Sequence, residues 1–315
     1  MAAPGRPRLP LTAGFPPPPP VGRPGDPGVT PVEGPYWAVT AERAVLLGGT
    51  AAILLQVAHP LVAAGVAGHS SYALDPARRL LGTMDAVLTI AFGDTDQAHA
   101  VARRVGAQHA RVRGTSAEGV PYRAQDPELA RWVHATLVVT GLEVARRWIG
   151  LRLDDAARER YWRETAPFGR LFGVRARDLD TDFATFHDWF LRTRDGLVVG
   201  PTARGIAADL LAVRTRPPVP AGPVQRMLVA DLLPPRLAAE FGCAPTPARR
   251  RAAGVTSALT RAGLPLLPES LRCFPHRARA RSRIAAGEGS GPPDGTTPTA
   301  NGVAEHRRSG AGWTS

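Results

Sequence analysis

The sequence predicts an all-α fold, a single domain of about ten helices between two disordered tails. Three features carry this. Asp75-Pro76 and Asp126-Pro127 each supply a capping carboxylate followed by a proline at the first helical position, and Asp94 supplies a third cap. Apolar residues recur at helical spacing, as in Val101, Val105, His109 and Val112. No Asn-Gly turn joins alternating β-branched runs, so nothing asks for a sheet.

Residues 1–30 are rich in proline and glycine, with five prolines in a row at Pro16 to Pro20, and read as a disordered or polyproline-like tail. Residues 285–315 are poor in large apolar side chains and read as a second tail. The domain between them spans 31–284. Thr40 to Ala58 is apolar nearly all round, the mark of a central buried helix. Pro60 biases His59 out of the helical region and marks a helix end or kink. The glycine-rich GVAGHSSY that follows reads as a turn. Helices are then expected at 75–92, at 95–113 ending at Gly114, and from Glu128 to about Trp148. Further helices are expected at 154–172, 181–194, 201–213, 246–263 and 268–283.

The chain has 315 residues and a net charge of +12, and every one of its 39 basic residues is arginine. Schiff-base, P-loop and general-base lysine chemistry are thereby excluded. Cys243 and Cys273 form no CxxC pattern, so neither a disulfide scaffold nor a thiolate zinc site is expected, and a reduced, cytoplasmic setting fits them. The stretch from Ala44 to Gly68 is broken by Gln56, His59 and Pro60, so no stable membrane insertion is expected. From Pro245 to Arg283 nine arginines face one glutamate; with no nucleic-acid module beside them, they read as a solvated helical face rather than a nucleic-acid or membrane contact. Nothing in the sequence sets the oligomeric state.

Histidine is the commonest biological metal ligand, and His59, His69, His109 and His134 fall inside otherwise apolar blocks. His109 lies on the apolar stripe of the 95–113 helix, with Arg111 and Arg113 close behind, suited to pair with carboxylates such as haem propionates. His134 sits mid-helix among Ala130, Val138, Gly141 and Ala145, as a second ligand candidate or a packed core histidine. Arg79 and Thr83 are four apart, so they project from one side of their helix.

The ordered blocks LLQVAHPLVAAGV, HSSYALDPARRLLGT, HARVRG and YRAQDPELARWVHATL resemble the MpaB-type oxygenase domain shared with the bacterial latex clearing proteins, over roughly Tyr36 to Phe274. The resemblance implies an all-α domain around one haem b, held by a single proximal histidine, that cleaves olefinic bonds with dioxygen. It places the proximal ligand at His109, with His134 as the second choice. It places the distal arginine and threonine at Arg79 and Thr83, and gives Arg113 and Arg79 contact with the cofactor. The family lysine falls on Gly82, and the stretch 62–68, where the family carries an acidic base, has no Asp or Glu. The implied function is a haem-b-dependent oxygenase acting with dioxygen on a small apolar substrate, not on polyisoprene. Two alternatives stay open: a non-catalytic haem-binding or sensing protein, and a non-haem metal enzyme using His59, His69, His109 and His134 together.

Overall fold

The computed structural model describes residues 8–10, 17–69, 76–212, 214–216 and 221–288, with side chains at 17–69, 82–212 and 222–287. It is all-α, and its described residues form fifteen α-helical segments against the expected ten, because some expected helices are broken and others arise that the sequence does not announce. The apolar stretch 40–58 is the first case. It divides into α1 (Pro35–Ala41), a 3₁₀ turn (Arg43–Gly48) and α2 (Gly49–Val57). Glu42 causes the break: its backbone is extended, and its buried carboxylate pairs with Arg272 at 3.0 Å. The neighbouring Phe274 N–H donates to the Ala41 carbonyl at 2.8 Å.

His59-Pro60 makes the expected corner, a 106° bend between the Arg43–Val57 stretch and α3 (Pro60–His69). The first part of GVAGHSSY belongs to α3 rather than to a turn. No single described helix is long and apolar enough to cross a membrane; this bent pair passes only together. Next, α4 (Pro76–Phe92) and α5 (Thr95–His109) form an antiparallel hairpin. Asp94 accepts from the Gln97 N–H while the Gln97 side chain returns to the Asp94 N–H, a complete capping box. Arg104 meets Asp85 across the pair at 2.6 Å and fixes its register.

A two-stranded antiparallel ribbon, Arg113–Thr115 with Pro121–Arg123, corrects the expectation of no sheet. Its turn uses Gly119 at φ +80°, and the Tyr122 ring lies so close to Gly114 that a Cβ there would come within 2.8 Å of the phenol oxygen. So short a ribbon needs no alternating run. A second, parallel pair joins Arg8–Pro10 to Arg214–Arg216.

The centre is α6 (Pro127–Val144), opened by Asp126 as the sequence predicts and continued by a π turn over Ala145–Ile149. Around it run α7 (Asp155–Leu171), α8 (Ala176–Leu179), α9 (Phe183–Gly196) and α10 (Pro201–Leu211). Then come α11 (Ala221–Leu232) and α12 (Pro235–Glu240), neither expected from the sequence, and α13 (Pro247–Gly263). The expected helix 268–283 is divided into α14 (Glu269–Arg272) and α15 (Pro275–Glu288) by Cys273-Phe274, where the chain bridges back to Glu42. Trp37, Trp132, Trp148 and Trp162 are fully buried. Trp132 stacks on Phe190 with centroids 5.6 Å apart, and Trp162 on Phe186 at 3.9 Å. Such aromatic pairs add about 0.5–1.5 kcal/mol beyond burial of their area.

Residues 17–30, expected as part of the N-terminal tail, are packed instead. Thr30 is buried, accepting from the Trp37 indole and donating to the Ala91 carbonyl. The fully buried Arg283 of α15 donates to the carbonyls of Asp26, Phe92 and Gly93, so one guanidinium ties the N-terminal segment to the α4–α5 corner. Polar contacts of this kind leave no apolar period in the sequence. The basic 245–283 segment is likewise partly consumed within the fold: Arg272 pairs with Glu42, and Arg277 and Arg281 pair with Glu33 and Glu269.

Candidate functional site

A cavity of about 160 Å³ lies between α1, the 3₁₀ turn, α4, α6 and α7. Its walls are mostly apolar, with Leu46, Val87, Leu88 and Phe168 among them, and Thr83 on α4 is both a wall residue and solvent-exposed, which puts the mouth there. Two glycines let the walls come together. A Cβ on Gly141 would lie 2.6 Å from the Tyr161 hydroxyl, and one on Gly48 would lie 2.7 Å from methyls of Thr140 and Val144.

His134 lines this cavity and is 4% exposed. Its ring donates to the Thr165 backbone carbonyl. Nε2 has no partner, so the donor is Nδ1–H and Nε2 is the acceptor nitrogen of a neutral ring. Burial pushes its pKa down to about 4, only partly opposed by that bond. Phe168 stacks on the ring at 6.1 Å and Trp162 tilts against it at 5.7 Å, which fixes its plane. Among the other polar groups of the walls, the Tyr36 phenol, pushed up to about 12 by burial, bonds Thr40, and the Thr165 hydroxyl donates to the Trp162 carbonyl.

His109 differs from its expected position. The stripe Val101, Val105, His109 keeps its phase, and Val101 is buried, but exposure grows along it until His109 stands exposed on the last turn of α5, its ring 6.4 Å from Phe172. Helical phase fixes the face of a helix, whereas burial also needs a neighbour that extends as far. Arg113 is exposed in the ribbon that follows, and its carbonyl bonds the ring of His69 at 2.9 Å. The side chain of Arg79 lies outside the described residues. Its backbone is in α4, and with Asp85 opposite Arg104 the antiparallel register brings position 79 level with the end of α5. Thr83 and His134 therefore share the cavity, while His109 and Arg113 lie at the outer end of the hairpin.

His59, at the α2–α3 corner, tilts against Trp132 at 6.5 Å. Among the described residues no group of three or more His, Cys, Asp or Glu side chains is placed to hold a metal ion, so the four histidines do not form one centre. The contribution of Tyr36, Thr140 and Tyr161 to the cavity was not foreseen. On α6 the signal was present, because His134, Leu137, Val138 and Gly141 share one face.

Gly82 is exposed within α4, and a Cβ there would meet nothing within 4 Å. Gly82→Ala should therefore raise stability by about 0.5–1 kcal/mol, since glycine is a poor helix former with no steric excuse here. Urea melts of the two proteins measure it. A lower midpoint for the alanine variant would mean that glycine is required at this place.

No curated protein sequence and no solved structure matches the chain. A family model described as ER-bound oxygenase mpaB/B'/rubber oxygenase, catalytic domain, matches residues 36–262. That span runs from α1 into α13 and contains the cavity walls on α4, α6 and α7 together with the hairpin that carries His109. With well over half of its length matched, the chain belongs to the mpaB/rubber oxygenase catalytic-domain family.

Proposed function

We propose that this protein is a haem-b-dependent oxidoreductase that uses dioxygen on a small apolar substrate. The observation that carries this reading is the division of the site into an apolar cavity and an adjacent open end bearing an imidazole and a guanidinium. About 160 Å³ is the room that one benzene ring occupies, so the cavity takes a substrate and not a porphyrin. The donors suited to haem stand outside it. His109 would hold the iron through an imidazole nitrogen and Arg113 would pair with a propionate, and position 79 is level with them. Bound there, haem would supply dioxygen activation and electron exchange.

The protein's own groups do the rest. Val87, Leu88 and Phe168 hold an apolar substrate away from water, and Thr83 sits at the mouth, between the cavity and the hairpin end. With Gly82 in place of the family lysine, no ammonium acts at that position, and polyisoprene is not the substrate. A missing general acid is worth about 10²–10⁴-fold in rate. Purification from haem-replete cells should give a Soret band and a b-type pyridine haemochrome at one haem per chain, and incubation with squalene under air should give little carbonyl product. A colourless protein that takes up no added haem overturns the reading. Rapid formation of aldehyde and ketone ends returns polyisoprene-like substrates.

A further inference from the structure

The Nε2 atom of His134 has no role in the reading above. It is a buried acceptor with its ring clamped between aromatic neighbours, it faces no donor of the protein, and it belongs to a residue that lines an apolar cavity. Leaving such an atom unpaired costs about 1–3 kcal/mol, and pairing it is what a matching ligand would contribute. The cavity has room for one ring of benzene size. We infer that it is a binding site for a monocyclic aromatic or similarly compact apolar molecule carrying one hydroxyl or N–H donor, which is received by Nε2 of His134.

Each feature of the site selects for this class. Apolar walls reject a charged molecule, which would lose its hydration without a counter-ion. The ring accepts at Nε2 because Nδ1–H is committed to the Thr165 carbonyl, and burial keeps it neutral at ordinary pH. Thr165 spends its hydroxyl proton on the Trp162 carbonyl, so it does not itself donate to Nε2. A water molecule is a poor occupant, since it needs two to four polar partners and these walls are chiefly apolar. The site refines the small apolar substrate proposed above by asking it for one donor. It needs no haem, so its failure and the failure of the haem reading are separately visible.

The test compares phenol with toluene, which has the same shape and no donor, on the full chain as purified, with haem content read from the Soret band. Binding is followed through the fluorescence of Trp162, which tilts against His134. In the wild-type protein both probes should saturate. In His134→Phe, which keeps an aromatic ring against Phe168, the ratio of phenol to toluene affinity should fall about tenfold, the conversion of 1–3 kcal/mol at 1.4 kcal/mol per decade placing it between about 5-fold and 150-fold. A second measurement needs no variant: the ¹⁵N resonance of His134 Nε2 should move towards its hydrogen-bonded position with phenol and stay in place with toluene. An unchanged ratio, an unmoved resonance with phenol, or no saturable binding of either probe overturns the assignment.

Discussion

His109→Ala is expected to leave a folded protein that no longer retains the haem proposed above, whereas His134→Ala is expected to keep a Soret band and lose stability. The asymmetry follows from where the two rings sit. His109 is exposed on the last turn of α5, so its removal empties no core volume and surface changes of this kind cost within about 0.5 kcal/mol. An axial ligand lost with its supporting shell lowers affinity severely and locally. His134 is the reverse case: buried, stacked and bonded to the Thr165 carbonyl, its truncation widens a cavity in the core at a cost of a few kcal/mol. Absorbance at the Soret maximum and urea midpoints of the two variants decide between the rings. Haem retained by His109→Ala and lost by His134→Ala would reverse the assignment and require the cavity to open around the porphyrin.

Mild acid is expected to destabilise this protein by several kcal/mol between pH 6.5 and pH 4. Two buried histidines are responsible. His134 and His276 are 4% and 1% exposed, and burial pushes each pKa from 6.5 down to about 4. As the pH falls through 6.5 the unfolded chain takes up both protons while the folded protein takes neither, so the unfolded state gains. The loss stops near pH 4, where the folded protein also protonates. Each proton is worth about 1.4 kcal/mol per pH unit in that window, a large share of the 5–15 kcal/mol by which domains are stable. Glu33 acts in a different window: its two arginine partners hold it at about 2, so its contribution is lost only below the ordinary carboxylate range. Both ring nitrogens of His276 are partnerless, so His276→Leu should raise stability at pH 7 by about 1–3 kcal/mol and remove roughly half of the acid slope. Urea midpoints at pH 7, 5.5 and 4.5 test this. A flat response from 6.5 to 4.5 would show that neither ring is held neutral by the fold.

Elements with a local cause were legible in the sequence. The caps at Asp94 and Asp126 mark α5 and α6 because capping is chemistry between neighbours two or three residues apart, and His59-Pro60 marks a corner because its cause is equally local. Elements whose cause is distant were not. The break at Glu42 depends on Arg272, and the packing of residues 17–30 depends on Arg283, more than two hundred residues away in sequence. α12 opens at Pro234 without a side-chain cap, so no local signal marks its start. The site divides on the same line. The face of α6 that carries His134 could be read from helical spacing, but the exposure of His109 could not, because it depends on how far neighbouring elements extend. The 3₁₀ turn and α7 come close to α6 at Gly48 and Gly141, approaches that no spacing along one helix reveals.

The clamp made by Arg283 sets an order of events during synthesis. Residues 17–30 are made more than 250 residues before the guanidinium that donates to the Asp26 carbonyl. At about 5–20 residues per second the N-terminal segment waits on the order of ten seconds or more for its partner. Throughout that time the corner between α4 and α5 is complete on its own capping box while the carbonyls of Phe92 and Gly93 lack their donor. The N-terminal segment therefore receives this clamp only once α15 has been made.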